Sequence, residues 1–244
     1  MSSANVLEIF SSIQGEGKYL GCRQIFIRLA DCNLRCAYCD TNFSRAEYCK
    51  VERAAGSMTF RDVKNPLSAA QVIEFVRQFS GEVATQAVSF TGGEPLLSWR
   101  FIREVAAEIK SSGVKIFLET NGTLPAEFEQ ISDVVDIVSM DIKLPSAGQN
   151  LFQQHEKFLR AARDKDLYIK LVVTGETTQE EFLSAVELVA QIAPTTLLIL
   201  QPVTPTRKVS AISAEKILEL QAAALRKIKN VRVIPQTHKF INLL

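Results

Sequence analysis

The chain predicts an α/β fold, a partial and open β/α barrel of about six units with parallel strands. Three observations carry that expectation. Short β-rich runs alternate with longer helical patterns from Gln24 onward. Helical crossovers between successive strands make those strands parallel and place the helices outside the sheet. The segments that follow the strands ("ADCNLRCAYCDT", "TGGEP", "ETNGT", "SMDIKLPS", "VTGE" and "QPVT") are small, polar or charged. In parallel α/β folds chemistry gathers at those C-terminal strand ends.

Each element follows from its pattern. "QIFIRLA" (Gln24–Ala30) is a buried strand, and "LSAAQVIEFVRQFS" has helical apolar spacing with Ser68 as its cap. "AVSF" (Ala87–Phe90) is a strand, followed by the helix "SWRFIREVAAEIKSSG", which Gly113 ends. "VKIFLET" is a strand, "PAEFEQIS" a short helix opened by Pro125, and "VVDIVSM" a further strand. Next come a helix near Asn150–Ala162, the strand "LYIKLVV" and a helix at Gln179–Ile192. The strand "TLLILQ", a helix at Ala214–Ile228 and the strand "VRVI" complete the series. Residues 45–66 fit no period and are expected as a β-hairpin insertion or a lid on a single domain spanning 1–244.

Composition narrows the function classes. Of 244 residues, 47% are hydrophobic, and 28 basic residues nearly balance 27 acidic ones for a net charge of +1. That balance argues against a nucleic-acid or acidic-membrane binder. The first residues show no secretory pattern and no apolar run is long enough to span a bilayer, so a cytoplasmic location is expected. Cys22, Cys32, Cys36, Cys39 and Cys49 are then expected as thiols or metal ligands.

Cys32, Cys36 and Cys39 are spaced C-x3-C-x2-C. A structural zinc site wants a fourth ligand. Cys36 and Cys39 alone form a redox-type pair, and three thiolates can also hold an iron–sulfur cluster with one iron open. The surroundings do not suit a simple thioredoxin-like pair, and these residues by themselves leave zinc and iron–sulfur open. A lone Gly-Gly turn, the "ETNGT" turn, or an Asp141–Lys143 pair is as readily structural as functional.

Taken together, the cysteine spacing with Tyr38 before the last cysteine and the turn Gly92-Gly93-Glu94-Pro95 resemble the radical S-adenosylmethionine superfamily. The resemblance implies a 4Fe–4S cluster on the three cysteines. Its open iron would take the amino and carboxylate groups of S-adenosylmethionine, whose reductive cleavage yields a 5′-deoxyadenosyl radical. It also implies cofactor contacts from Tyr38, Asp40, Gly92, Gly93, Glu94 and Asn121, with Ser139, Met140 and Asp141 toward ribose and methionine and Gln201, Pro202, Val203 and Thr204 toward adenine. Glu94 would accept from an ammonium group and Tyr38 would pack near adenine.

"EIFSSIQGEG", "FIRLADCNLRCAYCDT", "QPV" and "QTHKFINLL" further resemble the 7-carboxy-7-deazaguanine synthase family. That family contracts 6-carboxy-5,6,7,8-tetrahydropterin with loss of ammonia, through hydrogen abstraction, rearrangement and hydrogen return, for queuosine and other 7-deazapurines. The resemblance implies that Arg28 holds the substrate carboxylate, that Ile13, Gln14, Gly15 and Glu16 meet the pterin, and that Thr91 touches it. His238 and the terminal carboxylate at Leu244 would close the pocket. Thr41 would be a magnesium ligand. A flavodoxin or ferredoxin electron donor and a homodimer are also implied. An Arg within an apolar strand run itself points to a buried anionic partner, the alternative being a surface ion pair. Asp31 stands where relatives often have Gly, and Cys22 and Cys49 are additional. Other readings of the same features are a glycyl-radical activase and a non-catalytic zinc scaffold.

Overall fold

Two-residue periodicity in the strands and longer apolar periodicity in the helices produce a sheet with two unlike faces, one under helices and one open to a cavity. The structure is a computed structural model describing residues 2–39, 42–206, 208–241 and 243. In chain order its strands are β1 (Ser3–Ala4), β2 (Val6–Ile13), β3 (Arg23–Leu29), β4 (Tyr48–Glu52), β5 (Phe60–Lys64), β6 (Leu67–Ser68), β7 (Ala87–Gly92), β8 (Lys115–Thr120), β9 (Ile137–Asp141), β10 (Asp166–Val173), β11 (Leu197–Pro202) and β12 (Val231–Val233). The helices are α1 (Ala69–Glu82), α2 (Trp99–Lys110), α3 (Pro125–Glu129), α4 (Phe152–Ala162), α5 (Gln179–Ile192) and α6 (Ala214–Leu225).

Among the described residues, ten strands form one sheet in the order β12-β11-β10-β9-β8-β7-β3-β2-β4-β5. Neighbours from β3 through β12 are parallel, as the alternating pattern predicts. The order is linear, so the barrel stays open. Its near edge extends beyond the expected units. The N-terminal stretch forms β2, antiparallel to β3, and residues 45–66 contain the antiparallel hairpin of β4 and β5. β4 joins the sheet through β2, and Ala46, Tyr48 and Lys50 of this segment also line the cavity.

Helix ends follow local chemistry. Ser68 caps α1 by a reciprocal box, Gln71 N donating to Ser68 Oγ at 3.3 Å and Ser68 N to Gln71 Oε1 at 3.0 Å. Thr178 and Glu181 repeat the arrangement on α5. Such caps stabilise a helix by about 1 kcal/mol.

Alternation along each strand then decides which side chains meet which layer. Ile25, Ile27, Leu29, Val88, Phe90, Leu118, Val138, Met140, Ile169, Leu171 and Leu200 join the helix-side core. The opposite phase supplies Ala87, Phe117, Ile137, Tyr168, Leu197 and Ile199, a small apolar cluster from the N-terminal parts of the strands. Polar residues of that same phase lie further along the strands, where the cavity begins.

Candidate active site

The inner phase of the strands builds the site floor. β3 supplies Phe26 and Arg28, β7 Thr91, β8 Glu119, β9 Ser139 and Asp141, β10 Lys170 and Val172, and β11 Gln201. These line one cavity of about 780 Å³. Loops complete it with Cys32, Cys36, Tyr38 and Cys39 on one side and Ile13, Gln14, Gly15, Glu16 and His238 on another. Gly92, Gly93, Asn121, Val203 and Thr204 also line it. Most residues singled out from the sequence are thus brought together, while Asp40, Thr41 and Leu244 lie outside the described residues.

Three residues are placed elsewhere. Met140 is fully buried in the helix-side core, because strand alternation turns it away from its neighbours Ser139 and Asp141. Pro202 is similarly absent from the lining between Gln201 and Val203. Glu94 is also absent from it, and its carboxylate is occupied internally. It accepts from Leu96 N at 3.1 Å, Thr120 Oγ1 at 2.9 Å and Asn121 N at 2.7 Å. Burial pushes its carboxyl up to about 7 despite those bonds. Glu94 therefore ties the glycine turn to the "ETNGT" turn.

The cysteine loop and the glycine turn are held against each other by backbone. Gly93 N donates to Leu29 O at 3.1 Å, and Glu94 N to Asp31 O at 2.9 Å. A Cβ on Gly93 would overlap the Asp31 carbonyl oxygen, so this glycine serves the approach of two loops. Asp31 has φ of 66°, a left-handed conformation that glycine adopts freely and Asp tolerates. Burial raises the Cys32 and Cys36 thiols. Cys49 lies in the helix-side core, away from this cluster.

Between the loops runs a chain of alternating charge. Lys143 sits 5.2 Å above the Tyr38 ring and 2.7 Å from Asp141 Oδ2. Lys170 Nζ is 3.8 Å from the same oxygen and 2.5 Å from Glu16 Oε2. Burial opposes the charge on both lysines, but their carboxylate neighbours more than offset it and raise them. Burial likewise pushes the Glu16 carboxyl up, yet Lys170 wins and holds it at about 2. Asp141 and Lys143 are each 14% exposed, so this is no loose surface pair.

Arg28 has a partly exposed anionic partner, Glu8, rather than a buried one. Its Nε donates to Glu8 Oε2 at 2.6 Å, across the β2–β3 register, over the Phe10 ring. Glu119 Oε1 accepts from Gln14 Nε2 at 2.9 Å and Oε2 from Thr91 Oγ1 at 2.8 Å. The C-terminal segment closes over the Gln14–Glu16 loop. Thr237 N donates to Gly15 O at 2.9 Å, and the His238 ring occupies the space a Gly15 Cβ would need. Sequence reasoning passed over Glu119 and Lys170, although each is a charge within an apolar strand run, the signal that singled out Arg28.

The donor set fits a cluster and a polar cofactor. Tyr38 Oη, Asp141 Oδ1 and Gln201 Oε1 are buried without a hydrogen-bond partner, and all three side chains line the cavity beside the cysteines. Buried polar atoms are ordinarily satisfied, so these await a partner. Cys32, Cys36 and Cys39 all line this cavity, and three thiolates can each take a separate iron of a cubane cluster.

The model of the Radical SAM superfamily matches residues 27–202. The chain therefore belongs to the radical S-adenosylmethionine superfamily, whose members carry a 4Fe–4S cluster and S-adenosylmethionine. It is 39% identical to a 7-carboxy-7-deazaguanine synthase of Geobacter sulfurreducens over 99% of this chain and 98% of that one. It is 35% identical to the Methanocaldococcus jannaschii protein of the same name, over 98% and 100% respectively. Within the superfamily, the chain belongs to the 7-carboxy-7-deazaguanine synthase family. The fold agrees with the crystal structure of QueE from Escherichia coli at a TM-score of 0.64, with 22% identity over 97% of this chain and 95% of that one.

Proposed function

We propose that the chain carries out the reaction for which its relatives are named, contracting 6-carboxy-5,6,7,8-tetrahydropterin to 7-carboxy-7-deazaguanine with loss of ammonia. The observation that carries this reading is a single cavity shared by the three cysteines and by Gln14, Glu16, Arg28, Thr91 and His238. A cluster on Cys32, Cys36 and Cys39 with bound S-adenosylmethionine supplies the hydrogen-abstracting radical when both are present. The chain's own residues orient the substrate against it.

Arg28 donates to the substrate carboxylate from the nitrogens that Glu8 leaves open. Glu16 accepts from the guanidine-like edge. Glu119 keeps the Gln14 and Thr91 side chains in one arrangement. His238 and the C-terminal segment cover the heterocycle and limit water. Asp141, Gln201 and Tyr38 offer their unpartnered atoms to S-adenosylmethionine.

The same reading includes a magnesium ion at Thr41 that orients the substrate, an external reductant such as a flavodoxin or ferredoxin, a homodimer, a cytoplasmic location, and one domain with the 45–66 hairpin as an extension of its sheet. Anaerobic incubation with the pterin, S-adenosylmethionine, reductant and magnesium is expected to yield the deazaguanine acid. A cluster-replete protein that cleaves S-adenosylmethionine and forms none of that product would overturn the reading. Omission of magnesium and light scattering on the eluted protein test the metal and the dimer separately.

A further inference from the structure

We propose that Lys170 is a positioning residue of the substrate site: its ammonium group holds the Glu16 carboxylate in place as an acceptor, and so selects heterocycles that present N–H donors there over those that present a carbonyl. The inference rests on the pterin reading above.

The geometry isolates the Lys170–Glu16 pair. β10 carries Lys170 on its inner phase between Tyr168, in the apolar cluster, and Val172, on the cavity wall. Lys170 is only 13% exposed, an expensive position for an ammonium group unless a carboxylate compensates. Asp141 is 3.8 Å away and is committed to Lys143 at 2.7 Å, so Glu16 at 2.5 Å is the compensating group. Among the described residues, Lys170 is the one cation in ion-pair contact with Glu16.

Glu16 is held from two other directions. Its Oε1 accepts from Gln236 Nε2 at 2.8 Å, and its backbone N donates to Gln14 Oε1 at 3.1 Å. Gln14 is fixed in turn by Glu119. A carboxylate has about four acceptor sites, so Lys170 and Gln236 leave room for a pair of N–H donors. The amino-substituted edge of a pterin offers such donors. A lumazine, with oxygen replacing that amino group, turns a carbonyl toward the carboxylate and is repelled.

Charge at Glu16 is set by its surroundings. Facing it or its partner are Lys170 from β10, Asp141 from β9, Glu119 from β8 and His238 from the C-terminal segment. Lys170 is the dominant attraction, so its removal leaves burial, which favours the protonated acid, opposed only by the weaker influences of Gln236 and His238. A protonated Glu16 loses acceptor strength, and pterin binding then weakens as pH falls.

The test is fluorescence titration of the reconstituted holoenzyme with pterin-6-carboxylate and lumazine-6-carboxylate, from mildly acidic to mildly alkaline buffer. Wild type is expected to prefer the pterin by about tenfold or more, with a flat pH profile. Lys170→Met and Lys170→Gln are each expected to lose about tenfold in pterin affinity, to keep lumazine affinity, and to gain an acid limb. On a Glu16→Gln background Lys170→Met should cost nothing more. Unchanged discrimination, or an equal loss for both ligands, or an equal cost on the Glu16→Gln background, would overturn the role of Lys170. A wild type that makes no deazaguanine product fails the parent reading instead.

Discussion

Replacing Arg28 by Lys separates its pairing with Glu8 from the substrate contact proposed for the strand β3 charge. In the structure the Arg28 Nε is occupied by Glu8, and its terminal nitrogens make no hydrogen bond among the described residues. The pair is partly open, with side chains 24% and 28% exposed, so its contribution to stability is only about 0–1 kcal/mol. A lysine keeps the charge but offers one nitrogen in place of a fork. It can serve Glu8 or a substrate carboxylate, not both with the same geometry. Loss of a charged hydrogen bond of about 1.5–3 kcal/mol corresponds to roughly 10- to 150-fold in kcat/KM for the pterin.

The assay has three readouts from one preparation: product formation, 5′-deoxyadenosine released without product, and denaturant unfolding. Arg28→Lys is expected to lower kcat/KM in that range while uncoupled S-adenosylmethionine cleavage persists and stability changes by less than about 1 kcal/mol. Loss of cleavage together with product would refute the reasoning, because Arg28 would then support the cofactor side. A stability loss well above ~1 kcal/mol would do so as well, by showing that the Glu8 pair is structural.

The remaining predictions address packing, loop approach and pH. Gly93→Ala forces a Cβ onto the Asp31 carbonyl and is expected to cost about 1–3 kcal/mol and to lower iron content after reconstitution. Gly81→Ala, with open space around it, is the matched control, and iron analysis beside denaturant melts checks both. Met140→Ala should cost about 2–5 kcal/mol in unfolding without changing the KM for S-adenosylmethionine, since Met140 faces the helix-side core. A KM rise in a folded Met140→Ala protein would contradict that placement. His155 is fully buried and its ring is held down to about 4 by burial, opposed by its contact with Asn121 O. Its stabilising contribution is complete above the unfolded value near 6.5 and is lost as pH falls toward 4, by up to ~3 kcal/mol. His155→Gln should flatten that acid loss in denaturant melts, and an unchanged pH slope would assign it to other groups.

Local chemistry made much of the fold legible. The Ser68 cap, Pro125 at a helix start and the α5 range follow from residues close in sequence. The parallel sheet follows from alternation alone. β2 and the β4–β5 hairpin were harder, because they extend the sheet by antiparallel pairing and no helical crossover announces them. The three cysteines and the glycine turn were legible because their spacing is itself the chemical signature. Asp31 shows the limit of such motif reading. Its φ of 66° lies in the left-handed region that glycine adopts most freely, and no spacing pattern announces that.

The unread part of the site has one physical origin. Strand alternation assigns a side chain to a layer, and topology then decides which inner-phase charges meet. "SMD" reads as three cofactor contacts until alternation sends Met140 to the core and leaves Ser139 and Asp141 on the cavity wall. Glu16 and Lys170 are 154 positions apart, and their meeting depends on how the Gln14–Glu16 loop crosses the open strand ends. The sequence signal was nevertheless present, because a charge on the inner phase of a buried parallel strand must find a compensating group or change its ionisation. Applied to Arg28 alone it yields one proposed substrate contact. Applied equally to Glu119 in "KIFLET" and Lys170 in "LYIKLVV", it yields the groups that hold Gln14, Thr91 and Glu16 in position.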